Sequence, residues 1–375
     1  MMRWLIVCLL MVCGTAFAQG GEQRAEAAGQ SLIGSPAPRM VLKTIDGQTL
    51  DLGKLYGKKA VYLKFWATWC VPCREQMPHF EKAYESRGSD LEVIAINAGF
   101  NDSVADVKEY RTRLGIRMPI VIDDGTLGAA LNLRVTPQHV VIGRDGRILY
   151  VGHLANEQLE AALIAARGEA PAGGARTSAK VAGGPSGGSA SVRQPAGASG
   201  SAHGASAGAG DPALAQAGGP SGGGPAAAAR SGDAAPSFTA AALDGTQFGN
   251  KRPLVLVFLS PWCESYLETS RAAVSARCRD VRLQVEELAK QHPDTRWLGV
   301  ASGIWASPQD LTQYVSKYKV TIPLTLDESG TLFNSFHVRN VPTVIAINGQ
   351  GVIEKRIEGS DSSLAAQMSQ VALVR

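Results

Sequence analysis

The sequence predicts an α/β protein built from two related domains, each a mixed central sheet with helices on both faces, joined by a long disordered linker. Three observations support this. In the first domain, strand-like and helix-like patterns alternate and then end in a hairpin and a helix. Residues 110–149 match residues 314–353 nearly without gaps, which indicates a tandem duplication of one domain. Between the two copies the composition changes sharply.

The elements of the first domain, residues 30–167, follow from local patterns. The apolar runs "KAVYLKFW" and "LEVIAIN" predict buried strands. Asp-Gly pairs favour tight hairpin turns. The expected order is a hairpin at Asp46-Gly47, the first strand, a helical stretch over Cys73–Arg87, the second strand, a helix over Val104–Leu114, a hairpin at Asp145-Gly146 and a closing helix over Asn156–Arg167.

Residues 168–235 form the predicted linker. Gly, Ala, Ser and Pro dominate it, and its bulky apolar residues are Val181, Val192 and Leu214. Such a composition cannot bury enough apolar surface to offset the entropy of ordering the chain. At about 5–6 Å times the square root of its length, its ends would average roughly 45 Å apart. The second domain then covers residues 236–375.

The composition mainly shows which partners are not indicated. The 37 basic and 33 acidic residues of the chain form no basic block, so neither nucleic acid nor a membrane surface is indicated as a partner. The six His residues show no metal-ligand spacing, and we expect neither a metal nor a cofactor. The acidic pairs Asp123-Asp124 and Asp327-Glu328 recur at matching places, where we expect them to cap short helices.

Residues 1–18 have the pattern of a signal peptide. Arg3 precedes the apolar run "WLIVCLLMVC" and the small-residue site "AFA", so we expect cleavage after Ala18 and a periplasmic protein. The apolar run is shorter than the about 20 residues of a membrane span. An uncleaved anchor that faces the periplasm is the alternative. Cleavage removes Cys8 and Cys13 and leaves four cysteines in an oxidising compartment, where disulfides persist.

The motif from Cys70 to Cys73 predicts thiol–disulfide exchange. Cys70 follows a strand and is expected at a helix N-terminus, where N–H groups and the helix dipole stabilise an anion. A thiolate there has its pKa lowered from about 8.5 towards 7 or below, so Cys70 is the expected nucleophile. Cys73 would resolve the mixed disulfide. Trp69, Val71 and Pro72 would form a mostly apolar rim that admits a protein substrate.

Three other interpretations of the motif are weaker. Half of a zinc site would need a second C-x-x-C or paired His at metal spacing. A purely structural disulfide over so short a loop would constrain little chain entropy. A peroxidase would need Pro and Thr placed ahead of its cysteine, and "FWATWC" lacks the Pro.

With "FWATWCVPCREQMP" and "RVTPQHVVIGRDGRI", residues 34–166 resemble the TlpA/ResA-like branch of the thioredoxin superfamily. The resemblance implies thioredoxin-like domains, reduction of protein disulfides, and a membrane thiol transporter of the DsbD/CcdA kind as electron donor. It also implies that Pro137 is cis and faces the cysteines, which leaves the Thr136 backbone free to pair with a substrate strand. A trans proline at the start of a strand is the alternative.

Lys64 departs from the thioredoxin pattern, which has a buried acid six residues before the first cysteine. TlpA-like proteins commonly lack that acid, so the resemblance holds. A buried Lys with a lowered pKa would be able to accept the proton of Cys73. An amine that extends to water is the alternative.

The second domain lacks the resolving cysteine, because Tyr266 stands in its place. This copy is about a dozen residues longer between its cysteine and Val341-Pro342, and the excess carries Cys278. We expect a Cys263–Cys278 disulfide, worth about 3 kcal/mol. A straight helix would hold the two Cα atoms about 22 Å apart, against a limit of about 7 Å. Two inert thiols and a reactive Cys263 are the alternatives.

The sequence thus indicates an exported disulfide reductase whose weakened second domain binds substrate or a partner. An oxidase or isomerase, with the opposite resting redox state, is one alternative. A non-catalytic adaptor or scaffold is another.

Overall fold

A computed structural model of the protein describes residues 20–168, 229–250, 252–358, 363–369 and 371. The predicted signal peptide, residues 1–18, lies outside the described residues, as do residues 169–228 of the predicted linker. None of the helices within the described ranges has the length and apolar character to cross a membrane.

The first domain opens with a helical segment, α1 (residues 20–29), whose Ala25 and Ala28 are buried. The folded part therefore includes residues upstream of the predicted boundary at residue 30. The elements that follow are β1 (Val41–Lys43), β2 (Thr49–Asp51), α2 (Leu52–Leu55), β3 (Ala60–Trp66), α3 (Val71–Glu75), α4 (Met77–Glu85), β4 (Leu91–Asn97), α5 (Val104–Leu114), β5 (Ile120–Ile122), α6 (Thr126–Ala130), β6 (Gln138–Ile142), β7 (Ile148–Gly152) and α7 (Glu157–Arg167).

The first domain's sheet has the strand order β5-β4-β3-β6-β7, with β3 parallel to β4 and antiparallel to β6. Successive side chains of a strand point to opposite faces. Tyr62 and Trp66 of β3 accordingly pack with Phe80 of α4, while Leu63 packs with Leu52 of α2 on the other face. The predicted mixed sheet with helices on both faces is confirmed.

Capping and turn residues fix several element ends. Gly47 and Gly146 have φ of 85° and 76°, as the two predicted hairpin turns require. Ser103 begins α5 with a capping box to Asp106, and the Asn156 side chain accepts a hydrogen bond from the Leu159 N–H at the start of α7. These ends lie where the sequence predicts them.

The helical stretch predicted over residues 73–87 is divided. α3 ends at Glu75, and α4 begins at Met77 with Pro78 in its first turn. A proline nitrogen has no hydrogen to donate, and its ring clashes with the carbonyl four residues earlier, so one continuous helix cannot form. Gln76 lies at the junction, and its side chain is free to reach the strand after Pro137.

The second domain contains β8 (Thr239–Ala241), β9 (Gln247–Gly249), β10 (Leu254–Leu259), α8 (Cys263–Tyr266), α9 (Ala272–Gln291), β11 (Trp297–Ser302), α10 (Pro308–Tyr318), β12 (Leu324–Asp327), α11 (Thr331–Ser335), β13 (Thr343–Ile347), β14 (Ile353–Glu358) and α12 (Leu364–Met368). Its sheet order, β12-β11-β10-β13-β14, repeats the pattern of the first sheet. The N–H groups of Gly232 and Ala235 donate to Ile353 O and Gly351 O, each at 2.8 Å. The folded second domain therefore begins upstream of the predicted boundary at 236.

Cys263 and Cys278 form a disulfide with their Cα atoms 6.2 Å apart. The short distance arises because the chain does not continue as one helix. α8 ends at Tyr266, residues 267–271 reverse the direction, and α9 starts again at Ala272. Arg271 adopts a non-helical backbone at the reversal while its side chain contacts Asp102 of the first domain. Residues 264–292 contain no Gly or Pro, and the break coincides with the contact of Arg271 with the first domain.

We expect removal of this disulfide, by replacing both Cys263 and Cys278 with Ser, to lower the free energy of unfolding by about 3 kcal/mol. Loss of the cross-link frees a loop in the unfolded chain, and α8 loses its covalent tie to α9. Urea unfolding measures the first effect, and faster amide hydrogen exchange in α8 and α9 measures the second. Unchanged exchange in both helices would contradict a structural role for the bond.

Candidate active site

Cys70 lies where β3 passes into α3. It is the N-cap residue of α3, and its Sγ accepts the Cys73 N–H at 3.2 Å. Cys70 and Cys73 form a disulfide with Cα atoms 5.2 Å apart. An N–H group at the start of a helix stabilises negative charge, so the Cys73 N–H would favour a thiolate at Cys70.

Thr136 and Pro137 face the disulfide from the start of β6. Their peptide bond is cis, the geometry that the resemblance implies. The Cys70 Sγ lies 3.3 Å from the Thr136 carbonyl oxygen. Both Thr136 and Pro137 are buried. The nucleophilic sulfur and the backbone that would guide a substrate strand are thus adjacent.

The rim around the cysteines is covered. Trp69 is 3% exposed and Cys70 is 2% exposed. The Trp69 ring stacks on Trp262 of the second domain, with centroids 4.8 Å apart. Val71 and Pro72 are half-buried. In this arrangement Trp69 contacts the second domain, and contact of Trp69, Val71 and Pro72 with a protein substrate stays a prediction.

Lys64 lies in the core of the first domain. Its side chain is fully buried on β3, and its Nζ lies 5.4 Å from the centre of the Phe80 ring. Within the described residues, Nζ has no hydrogen-bond partner. Burial lowers the pKa of Lys64 to about 7. The alternative in which the amine extends to water is wrong.

A chain of buried polar groups joins α3 to the strand after Pro137. The Tyr62 hydroxyl lies 2.8 Å from His139 Nδ1, and His139 Nε2 lies 2.8 Å from Gln76 Oε1. Because an amide oxygen only accepts, Nε2 carries the proton and Nδ1 accepts from Tyr62. Burial holds the pKa of His139 well below its usual value. His153 contacts the start of the same strand, because its Nδ1 lies 2.7 Å from the carbonyl oxygen of Pro137.

Sequence patterns do not reveal this chain, because its members are brought together by pairing of distant strands. They do predict the capping acids. Asp123 accepts the N–H groups of Leu127 and Gly128 at 3.0 and 2.8 Å, and Asp327 accepts that of Phe333 at 2.8 Å. Both acids cap the short helices that follow them. Burial raises the pKa of Asp123 to about 6.

The first domain is similar in sequence to known proteins. The sequence model of the Redoxin family matches residues 32–163, which lie in the first domain. A thiol-disulfide oxidoreductase ResA of Bacillus cereus is 30% identical over 162 residues, 41% of this chain and 90% of that protein. Thiol-disulfide oxidoreductase ResA of Bacillus anthracis is 33% identical over 132 residues, 34% of this chain and 75% of that protein.

Among solved structures, a thiol:disulfide interchange protein of the thioredoxin family from Chlorobium tepidum TLS is 29% identical. The aligned region covers 36% of this chain and 96% of that protein, with a TM-score of 0.30.

Replacing Lys64 with Met should flatten the dependence of stability on pH. A Lys with a folded pKa of about 7, against 10.5 when free, binds its proton in the unfolded chain but not in the folded one between these values. Unfolding free energy then rises with pH across that window, by up to about 1.4 kcal/mol per unit. The variant should lose this slope and be more stable than the parent protein at pH 7.

Urea unfolding at pH 7, 8.5 and 10 measures the effect. The exposed Lys108, changed to Met, is the control, because it removes the same charge without burial. If the free energy of unfolding changed with pH by the same amount in the parent protein and in the Lys64 variant, this would contradict a buried, neutral amine.

Proposed function

Because this chain belongs, through its first domain, to the ResA-like thiol-disulfide oxidoreductases, we propose that it is an exported reductase of protein disulfides that works through Cys70 and Cys73. The observation that carries the proposal is the Cys70–Cys73 disulfide at the start of α3, beside the Thr136 carbonyl. The second domain, which lacks a resolving cysteine, has a binding role rather than an exchange role.

The proposed reaction transfers two electrons by two exchange steps. The Cys70 thiolate attacks one sulfur of a substrate disulfide, forms a mixed disulfide and releases a substrate thiolate, which takes up a proton. Cys73 then loses its proton and attacks the Cys70 sulfur. The second substrate thiol is released, and the Cys70–Cys73 bond forms. The substrate is reduced and the protein is oxidised.

Lys64 is the candidate acceptor of the Cys73 proton. Both residues are fully buried in the first domain, and an amine with a pKa of about 7 exchanges protons near neutral pH. Thr136 and Pro137 would position the substrate strand, and Trp69, Val71 and Pro72 would contact it once exposed.

Export is supported by the pattern of residues 1–18, with cleavage after Ala18 or retention as a periplasm-facing anchor. In an oxidising compartment a reductant needs a continuous supply of electrons. A membrane thiol transporter of the DsbD/CcdA kind would regenerate the dithiol of Cys70 and Cys73.

Replacing Cys70 with Ser should reduce insulin-disulfide turnover to background, because the nucleophile is lost. Replacing Cys73 with Ser should instead accumulate mixed disulfides at Cys70, since nothing resolves them, and the trapped proteins would identify the substrates. Turnover assays and non-reducing gels measure both effects. Joint replacement of Cys263 and Cys278 with Ser is the control that should keep turnover. Activity that persists without Cys70 would rule out the proposed chemistry.

The reduction potential separates a reductant from an oxidase. Equilibration of the Cys70–Cys73 pair with glutathione buffers should give a value near −270 mV, as for thioredoxin. A value near −120 mV would favour the oxidase, the opposite direction of electron flow. Mass spectrometry of alkylated protein measures the reduced fraction at each potential.

A further inference from the structure

The second domain contacts the backbone groups that the proposed mechanism reserves for substrate. Trp305 Nε1 donates to the Thr136 carbonyl oxygen at 3.1 Å, and the Trp305 N–H donates to the Arg134 carbonyl at 3.0 Å. The same Thr136 oxygen lies beside the Cys70 sulfur. A substrate strand that pairs here would have to displace Trp305.

Tyr266 contacts the two residues that flank Cys70 in the sequence. Its hydroxyl accepts the Val71 N–H at 3.1 Å, at the start of α3. Its ring also makes an edge contact with Trp69, with centroids 6.4 Å apart. The residue that replaces the resolving cysteine of the second domain therefore contacts the cysteine loop of the first.

The contact between the domains is approximately reciprocal. The Asn101 N–H donates to the Arg339 carbonyl at 2.8 Å, as the Trp305 N–H does to Arg134. Asn101 Oδ1 also accepts the N–H of Val341, which precedes the cis Pro342. Asn101 and Trp305 both have positive φ, 55° and 57°. Each domain thus presents one loop to the residues before the other domain's cis proline, as in an isologous dimer.

An ion pair between the half-buried Arg271 and the buried Asp102 anchors this contact. Arg271 Nη2 donates to Asp102 Oδ1 at 2.8 Å and also to the Thr68 hydroxyl, while its Nη1 donates to the Asn101 carbonyl at 2.7 Å. The Asp102 side chain is fully buried and also accepts the Thr68 N–H at 2.8 Å. Breaking such a pair leaves an uncompensated buried charge, which is strongly unfavourable.

We propose that the second domain is a tethered cap that competes with substrate for the Thr136 carbonyl and the Val71 N–H, so that Cys70 reacts only when the two domains separate. The proposal rests on the assignment of Cys70 as nucleophile. Because the chain itself connects the domains, the cap rebinds without a second molecule, at an effective concentration of about millimolar or less. The apparent affinity for substrate is then the affinity of the open form, in which the two domains are separated, multiplied by the fraction of protein in that form.

Arg271→Glu in the full-length protein tests the cap. Placing a carboxylate against buried Asp102 opposes docking, so the alkylation rate of reduced Cys70 by iodoacetamide should rise at least about tenfold. Insulin turnover should rise in parallel. Arg279→Glu is the matched control, because it makes the same change in α9 at an exposed residue that contacts Asp280 of its own helix. Circular dichroism checks that each variant is folded.

Trp305→Phe is the milder second variant, which keeps an aromatic ring but removes the donor to Thr136. It should raise the alkylation rate in the same direction by a smaller factor. Unchanged or slower alkylation in both variants would overturn the cap. Faster alkylation with slower insulin turnover would also overturn it, because the second domain would then assist substrate binding. Absence of turnover in every protein, with alkylation still accelerated, would refute the proposed function and leave the cap standing.

Discussion

The antiparallel pairing of β3 with β6 brings Cys70 and Thr136 together, and the chemistry of the first domain depends on it. Phe65 lies opposite Gln138, so the end of β3 adjoins the start of β6. The cysteine loop leaves from one strand, and the cis peptide bond precedes the other. Two segments 66 residues apart thereby form one site. The buried chain through His139 and Gln76 ties α3 to the same strand and holds the two halves in register.

The second domain repeats this arrangement, because Phe258 lies opposite Thr343 in the corresponding strands. It therefore presents the same kind of edge, with Trp262 and the Val341–Pro342 bond in the places of Trp69 and Thr136–Pro137. Two like edges can pack face to face with reciprocal hydrogen bonds. At the second edge Cys263 is bonded to Cys278, and Tyr266, three residues after Cys263, contacts Val71. The position that corresponds to Cys73 in the first domain therefore carries an interdomain contact in the second.

Local patterns in the sequence predict what local physics determines. The bounds of α5, the hairpin turns and the caps at Asn156 and Asp123 follow from residues close in the chain. Pro78 also carried the signal that divides α3 from α4, although we expected a single helical stretch there. The features that escaped prediction arise from distant residues in contact.

Arg271 shows why these features escape prediction. Its sequence neighbours suggest continued helix, yet its side chain is held by Asp102 and Thr68 of the other domain, and the backbone reverses there. For Lys64 the residue type left burial and exposure both open, and the central place of β3 in the sheet decides for burial.

Competition between the cap and substrate for the same backbone groups also determines which substrate disulfides bind and react efficiently. A ligand that binds only the open form is weakened by the fraction of protein that is open, about a hundredfold if one molecule in a hundred is open. A substrate that offers only its sulfur atoms leaves the Thr136 carbonyl and the Val71 N–H without the partners that Trp305 and Tyr266 supplied. A substrate that brings an extended backbone beside its disulfide replaces them. Since linkage is reciprocal, such a substrate also stabilises the separated domains. The cap therefore favours disulfides in extended, exposed segments over those in compact folds.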